Sequence, residues 1–216
     1  MRLAAFVFVL LLLAGWVHAQ DEDIFRHPLG PRTEAAFMAT SQRLSEHPFV
    51  RGNFEQERTL SRLNRSLRSS GNFIIAAQLG MAWDTVSPFP STLVLGKDFL
   101  AQSRPGGQRT VMSAQGNETF LRMADVISAM FSGNAQRLVD NFEIYFSGST
   151  AAWELGLVPV DTAINAFAER IIIRGDSVIR SIHISEQNGD TIKYALSNHS
   201  FPAELNINEQ ELFFIP

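Results

Sequence analysis

Residues that could carry out catalysis occur in this sequence, but not at the spacings that familiar reactions require. There is no cysteine, which excludes a thiolate nucleophile, a thiolate metal site and a disulfide. Neither a G-x-S-x-G turn nor an H-E-x-x-H pair is present, and Pro105-Gly106-Gly107 lacks the Lys-Ser/Thr that completes a phosphate-binding loop. These observations predict a protein that is not an enzyme and needs no cofactor.

The histidines and acidic residues give no metal site either. Downstream of the first 19 residues the histidines are His27, His47, His183 and His199, none of which has a partner at metal-ligand spacing. His183 alternates with two isoleucines, which is typical of the solvent side of a strand. Three aspartates in the middle of the chain, Asp98, Asp125 and Asp140, show no pairing. Because catalytic groups can converge from distant positions, a hydrolase of the cell envelope stays open as an alternative.

The apolar residues could instead line a cavity that binds a lipid chain. Each methylene removed from water contributes about 0.8 kcal/mol, so even a loosely fitting apolar cavity would hold an acyl chain. The candidates at alternate strand positions are Phe54, Phe73, Ile75, Trp83, Leu93 and Leu95, and those facing them from a helix are Phe120, Met123, Ile127 and Met130. The same residues would also suit an ordinary hydrophobic core.

The N-terminus has the pattern of an export signal. Arg2, the apolar run Leu3–Leu13 and the small residues before Ala19 predict a signal peptide over residues 1–19. The run is too short to span a bilayer, which takes about 20 residues. Trp16 stands where a lipoprotein signal would carry its acylated cysteine, so we expect no lipid anchor. Residues 20–216 contain no Gly/Ser/Pro linker and are predicted to form one domain.

Hydrophobic periodicity places these residues on a predominantly β framework. Residues 34–46 and 118–131 have helical periodicity, with shorter helical segments near 135–140 and 162–167. Short alternating segments between turn residues predict about ten strands from Phe49 to Ser197, with Glu211–Ile215 as a last edge strand. The basic stretch Ser61–Arg68 is compatible with a hairpin connection or with the outer parts of two long strands. The order of the elements predicts an α+β fold with a curved antiparallel sheet.

Several pieces of sequence, in this order, resemble the periplasmic outer-membrane lipoprotein carrier family, LolA. They are Val50-Arg51-Gly52-Asn53-Phe54-Glu55-Gln56, Ser70-Gly71-Asn72-Phe73, Met81-Ala82-Trp83, Pro88 to Leu95, Leu157-Val158-Pro159, Ile182-His183-Ile184 and Asn188-Gly189-Asp190-Thr191. Together they cover most of residues 49–197. The resemblance implies an unclosed β-barrel of LolA/LolB type with helices as a lid over an apolar cavity. It departs from the family at Ile75-Ala76-Ala77-Gln78, where members carry a basic residue, which holds the lid closed, and then proline.

The resulting hypothesis is a soluble periplasmic carrier, a monomer that binds acyl chains of lipoproteins or a related lipid and passes them towards the outer membrane. The resemblance implies an inner-membrane transporter as donor and an outer-membrane acceptor. A net charge of −4, one unit more negative after loss of Arg2, argues against nucleic acid as a partner. The alternative is an envelope interaction or assembly module of the same fold with a filled core and no lipid cargo.

Overall fold

The structure is a computed structural model that describes residues 24–113, 128–131 and 133–214. The predicted signal peptide and three of the predicted cavity residues, Phe120, Met123 and Ile127, lie outside the described residues. None of the described helices is long and apolar enough to cross a membrane.

The described elements are mostly β-strands, with a few short helices between them. The first half contains α1 (Glu34–Leu44), β1 (Phe49–Leu60), β2 (Arg65–Ala76), β3 (Gly80–Ser87), β4 (Ser91–Gly96), β5 (Phe99–Ser103) and β6 (Thr110–Ser113). The second half contains α2 (Ala135–Asn141), β7 (Phe142–Ser149), β8 (Ala152–Pro159), α3 (Thr162–Asn165), β9 (Arg170–Gly175), β10 (Ile179–Ser185), β11 (Thr191–Ser200) and α4 (Ile207–Leu212). Single 3₁₀ turns lie at Ile24–Arg26 and Ser61–Leu63, and residues 128–131 are helical.

All the described strands join one antiparallel sheet in the order β6-β5-β4-β3-β2-β1-β11-β10-β9-β8-β7. The two end strands, β6 and β7, come from the middle of the sequence and do not pair with each other, so the sheet is curved but not closed. The β1–β11 pairing joins the two halves of the chain. This architecture confirms the predicted fold class.

The inner face of the sheet is packed most densely where the helices cover it. Phe37 of α1 is 2% exposed and meets Phe146 of β7 edge to face, with ring centroids 5.7 Å apart. Leu138 of α2 and Ile164 of α3 belong to the same buried cluster. The alternating apolar residues of β7 to β11 give this face its continuous apolar surface, including Leu157, which is fully buried. The helices therefore fill this half of the curved sheet.

One edge of the sheet is covered by the chain itself. The Leu29 N–H donates to the Ile144 carbonyl at 2.8 Å, and the Phe146 N–H donates to the His27 carbonyl at 3.0 Å. Pro28, between them, has no N–H to offer a further strand. Ile24, just upstream, is 1% exposed and would contact a Cβ at Gly156 on the other face of the sheet. The lead-in to α1 thus caps the β7 edge and wraps around it.

A second, smaller core lies on the outer face, under the C-terminal helix α4. Buried Ala76, Ala82 and Val94 meet Leu205 and Phe213 there. Asn206 and Glu209 form a reciprocal capping box at the start of α4, and Glu209 also pairs with Arg51 of β1. The strand predicted over Glu211–Ile215 is therefore wrong, because the cap starts a helix at Ile207 whose flanking apolar residues are buried against the sheet.

Candidate functional site

Aromatic side chains form a group in the middle of the inner face. The ring of Trp83 stacks on Phe54 with centroids 4.4 Å apart and lies 5.7 Å from Phe73. Tyr194 of β11 meets the same indole edge to face at 5.3 Å. The strand register fixes this group, since Phe73 is paired with Trp83 across β2 and β3, and Trp83 with Leu93 across β3 and β4.

Glycine makes room for one of these rings. Gly52 of β1 pairs with Phe73 of β2, and a Cβ at Gly52 would lie 2.5 Å from the tip of the Phe73 ring. The ring can lie across β1 only because that side chain is absent. Phe73 is consequently 2% exposed while it keeps contact with Trp83. The Gly52 and Phe73 positions both lie in the pieces of sequence that carry the family resemblance.

The structure brings together most of the predicted cavity residues that it describes. Phe54, Phe73, Ile75 and Met130 belong to the inner buried cluster, and Trp83 packs against it. Leu95 pairs with Met81 and shares the inner face with Leu93. Whether these residues contact a ligand remains a prediction, because burial in a protein core would produce the same placement.

The inner face differs between its two halves. The cavity beside Phe73 and Leu196 has a volume of about 20 Å³, and the cavity beside Phe37 and Met130 about 10 Å³. Either is roughly the space of a single water molecule. Neither of these two cavities has room for an acyl chain in the present arrangement.

Beyond β2 the inner face stays apolar, but the described residues cover it less completely. Leu93 is 37% exposed and Met112 is 55% exposed, while Trp83 and Leu100 are half-buried. Leu100 pairs with Leu95 on one side and with Met112 on the other. We refer to Trp83, Leu93, Leu95, Leu100 and Met112 as the apolar strip. Sequence reasoning missed Leu100 and Met112, although their alternation within β5 and β6 was available as a signal.

A histidine lies at the end of the sheet where α1 meets β1. His199 is half-buried in the small cavity beside Phe73, and its Nδ1 has no hydrogen-bond partner. Burial lowers the pKa of His199, the charge of Arg180 lowers it further, and a hydrogen bond to the Ile179 backbone opposes the shift. The imidazole is therefore held in its neutral form near pH 7.

The groups around His199 are not arranged as a nucleophile and its base. Ser177 lines the same cavity, but its hydroxyl donates to Asp176 at 3.3 Å. That carboxylate also accepts from the Val178 N–H at 3.1 Å and from Arg180 at 2.9 Å. The local bonds thus organise the β9–β10 turn. Within the described ranges no group of three or more potential ligands is placed to hold a metal ion.

The segment that departs from the family pattern lies at the end of β2. Ile75 and Ala76 are both buried, one in the inner and one in the outer cluster. The Ala77 N–H donates to the Pro48 carbonyl at 2.9 Å. This segment therefore carries no cation and is bonded to the chain just before β1.

Comparison with known proteins gives one family match that covers most of the chain. The model of the family described as outer membrane lipoprotein carrier protein LolA-like matches residues 33–207. No curated protein matches.

Several solved structures are similar to this chain at low sequence identity. A LolA superfamily protein from Nitrosomonas europaea is 8% identical, with 84% of this chain and 97% of that chain covered and a TM-score of 0.48. The MucA/MucB complex of Pseudomonas aeruginosa gives 11% identity, coverage of 80% and 59%, and a TM-score of 0.47. LprF from Mycobacterium bovis gives 11% identity, coverage of 83% and 98%, and a TM-score of 0.38.

Proposed function

Because this chain belongs to the LolA-like family of outer membrane lipoprotein carrier proteins, we propose that it is a non-enzymatic carrier of acyl chains in the cell envelope. In this proposal residues 1–19 direct export and are removed, and residues 20–216 act as one soluble periplasmic domain. The cargo is an acylated lipoprotein or a related lipid, received from a donor in the inner membrane and delivered towards the outer membrane.

The observation that supports this proposal best is the apolar strip. A core that served stability alone would be covered along its whole length, as it is between β7 and β11. Instead, the strip continues the aromatic group of Trp83 outwards to Met112, which is 55% exposed. Neighbouring strands are about 4.8 Å apart, so the distance from β3 to β6 is about 14 Å. An acyl chain could lie across these strands with one side against apolar side chains.

The energetics of such a site suit transfer rather than storage. Complete removal of about eight methylenes of an acyl chain from water would contribute about 6 kcal/mol. Methylenes that lie on the strip contact apolar side chains on one side only, so their contribution would be roughly half of that. A complex of this strength dissociates readily when an acceptor offers equal or deeper burial. No chemical step is then needed for release.

The dense packing under the helices supports a second candidate, the envelope interaction module with a filled core. The cavities beside Phe73 and Phe37 hold about 20 and 10 Å³, so an acyl chain could enter either of them only by displacing the side chains around it. The two candidates differ in a measurable property, because a filled module brings no hydrophobic ligand out of the cell and binds no acyl probe.

Binding of a fluorescent fatty acid to the purified protein, followed by competition with a synthetic acylated lipopeptide, tests the proposal. A carrier binds the fatty acid. The acylated lipopeptide then displaces the fatty acid, whereas the same peptide without acyl chains does not. Failure of the fatty acid to bind a fully folded protein would favour the interaction module.

A further inference from the structure

We propose that the tip of the β1–β2 hairpin, at the end of the sheet opposite His199, is a docking surface for an anionic lipid bilayer. The tip comprises residues 60–67 and overlaps the basic stretch Ser61–Arg68. This inference does not depend on the identity of the cargo.

The hairpin protrudes well beyond one of its neighbours in the sheet, β3, and about one residue beyond the other, β11. On one side the last pair with β3 joins Ser70 to Ser87, and on the other the last pair with β11 joins Thr59 to Thr191. At about 3.3 Å per residue, Arg65 lies some 17 Å beyond the last β2–β3 pair. On the β3 side, a flat surface can therefore reach the tip before it meets the rest of the sheet.

The tip is braced rather than loose. The carboxylate of Asp190, in the β10–β11 turn, accepts from the Ser61 N–H at 2.9 Å and from the Ser61 hydroxyl at 3.1 Å. The hydroxyl also contacts the Asn188 carbonyl at 3.2 Å. Asn64 completes the turn in the left-handed conformation with φ of 47°. The turn is thus held in one conformation, so that docking would not have to order it.

Apolar side chains point into water at this end. Leu63 is 64% exposed at the tip and Leu67 is 55% exposed just below it. At the same end, the turn between β3 and β4 leaves Phe89 81% exposed. Exposed leucines on a protruding turn would contribute free energy if they entered the apolar boundary of a bilayer.

The same tip has a net positive charge. Three acids lie nearby and all of them are paired, Glu186 and Asp190 with Arg58, at 3.0 and 3.7 Å, and Glu57 with Arg68 at 3.2 Å. Arg62 and Arg65 form no salt bridge with any described residue and are exposed. In a chain whose net charge is −4, two unpaired guanidinium groups beside exposed leucines match an anionic surface with an apolar interior.

Vesicle binding tests this inference. The protein would be purified from cells that express the full chain. Co-sedimentation would be measured with vesicles of phosphatidylglycerol and phosphatidylethanolamine in equal amounts, and with vesicles of phosphatidylcholine alone. We expect binding to the anionic vesicles, weakened by salt. In Arg62→Gln/Arg65→Gln the partition coefficient should fall about 30-fold, from about fivefold for each arginine.

A matched control removes two positive charges at the opposite end. Arg43 and Lys97 are exposed and lie near the ends of α1 and β4, and Arg43→Gln/Lys97→Gln should change the partition coefficient less than twofold. Leu63→Ser/Leu67→Ser should weaken binding while its dependence on salt remains. The inference is overturned if the wild type does not bind anionic vesicles, which is the result expected for a tip that binds an acidic protein. It is also overturned if the two charge variants lose binding equally.

Discussion

Leu93→Gln should separate cargo binding from folding. Leu93 lies on the inner face of β4 beside Trp83, and 37% of its surface is exposed. In the free protein the glutamine amide can remain in contact with water, so we expect the sheet to fold normally. When an acyl chain covers the strip, the amide loses that water and gains no partner.

The expected loss of affinity follows from these two effects. Full burial of a leucine side chain contributes about 1.5–3 kcal/mol, so covering the exposed third of Leu93 contributes roughly 1 kcal/mol. Covering an amide that finds no partner costs a further 1–3 kcal/mol or so. Together they predict a loss of about 2–4 kcal/mol, which corresponds to roughly 30- to 700-fold weaker binding of an acyl probe.

The assay is fluorescence titration with a fatty-acid probe, accompanied by thermal unfolding of each variant. Val111 provides a matched control, since it is also 37% exposed but pairs with Ala101, whose side chain packs in the outer cluster. Val111→Gln should bind the probe within about twofold of wild type. Equal losses in the two variants, or none in Leu93→Gln, would refute the placement of the acyl chain on the strip.

Three further predictions concern the framework of the site. Gly71→Ala should destabilise the fold by several kcal/mol, because the new Cβ would lie 1.9 Å from the Asp84 carbonyl oxygen in the β2–β3 ladder. Burial lowers the pKa of His199, so the wild type should lose stability as the pH falls below the unfolded value of about 6.5, and His199→Gln should lack that part of the pH dependence. Glu209→Ala removes the capping box and the contact with Arg51 and should cost about 1–2 kcal/mol of unfolding free energy.

Thermal or urea unfolding measures each of these effects against a neighbouring control. Gly107→Ala meets no atom closer than 3.4 Å and should be close to neutral, whereas a neutral Gly71→Ala would contradict the backbone clash. Glu211→Ala, in the same helix but outside the cap, should cost less than Glu209→Ala. An unchanged pH profile in His199→Gln would mean that the histidine is not kept neutral by burial.

Local sequence patterns accounted for most of the sheet. Apolar residues at alternate positions, interrupted by turn residues such as Asn188-Gly189, specify strand boundaries within a few residues. The curvature could be anticipated because a long antiparallel sheet twists. The family resemblance added the prediction of an unclosed barrel, which is confirmed.

Features that depend on distant contacts could not be predicted. The apolar residues of Glu211–Ile215 predict an edge strand, whereas the capping box at Asn206 starts a helix that covers Ile207–Leu212. Gly52 gives no local sign that it accommodates Phe73, since the two are neighbours only through the register of β1 and β2. The sequence of Ser61–Arg68 does not decide between a hairpin connection and the outer parts of two long strands, because neither its protrusion nor the pairing of its nearby acids is encoded locally.

Mass spectrometry of the lipids and lipopeptides that co-purify with this protein from the cell envelope would show directly whether it carries acyl chains. Wild-type protein and the Leu93→Gln variant would be isolated in parallel under conditions that preserve the fold. We expect acylated lipoprotein or lipid with the wild type and much less with the variant. A fully folded wild type that is free of acylated molecules would contradict it.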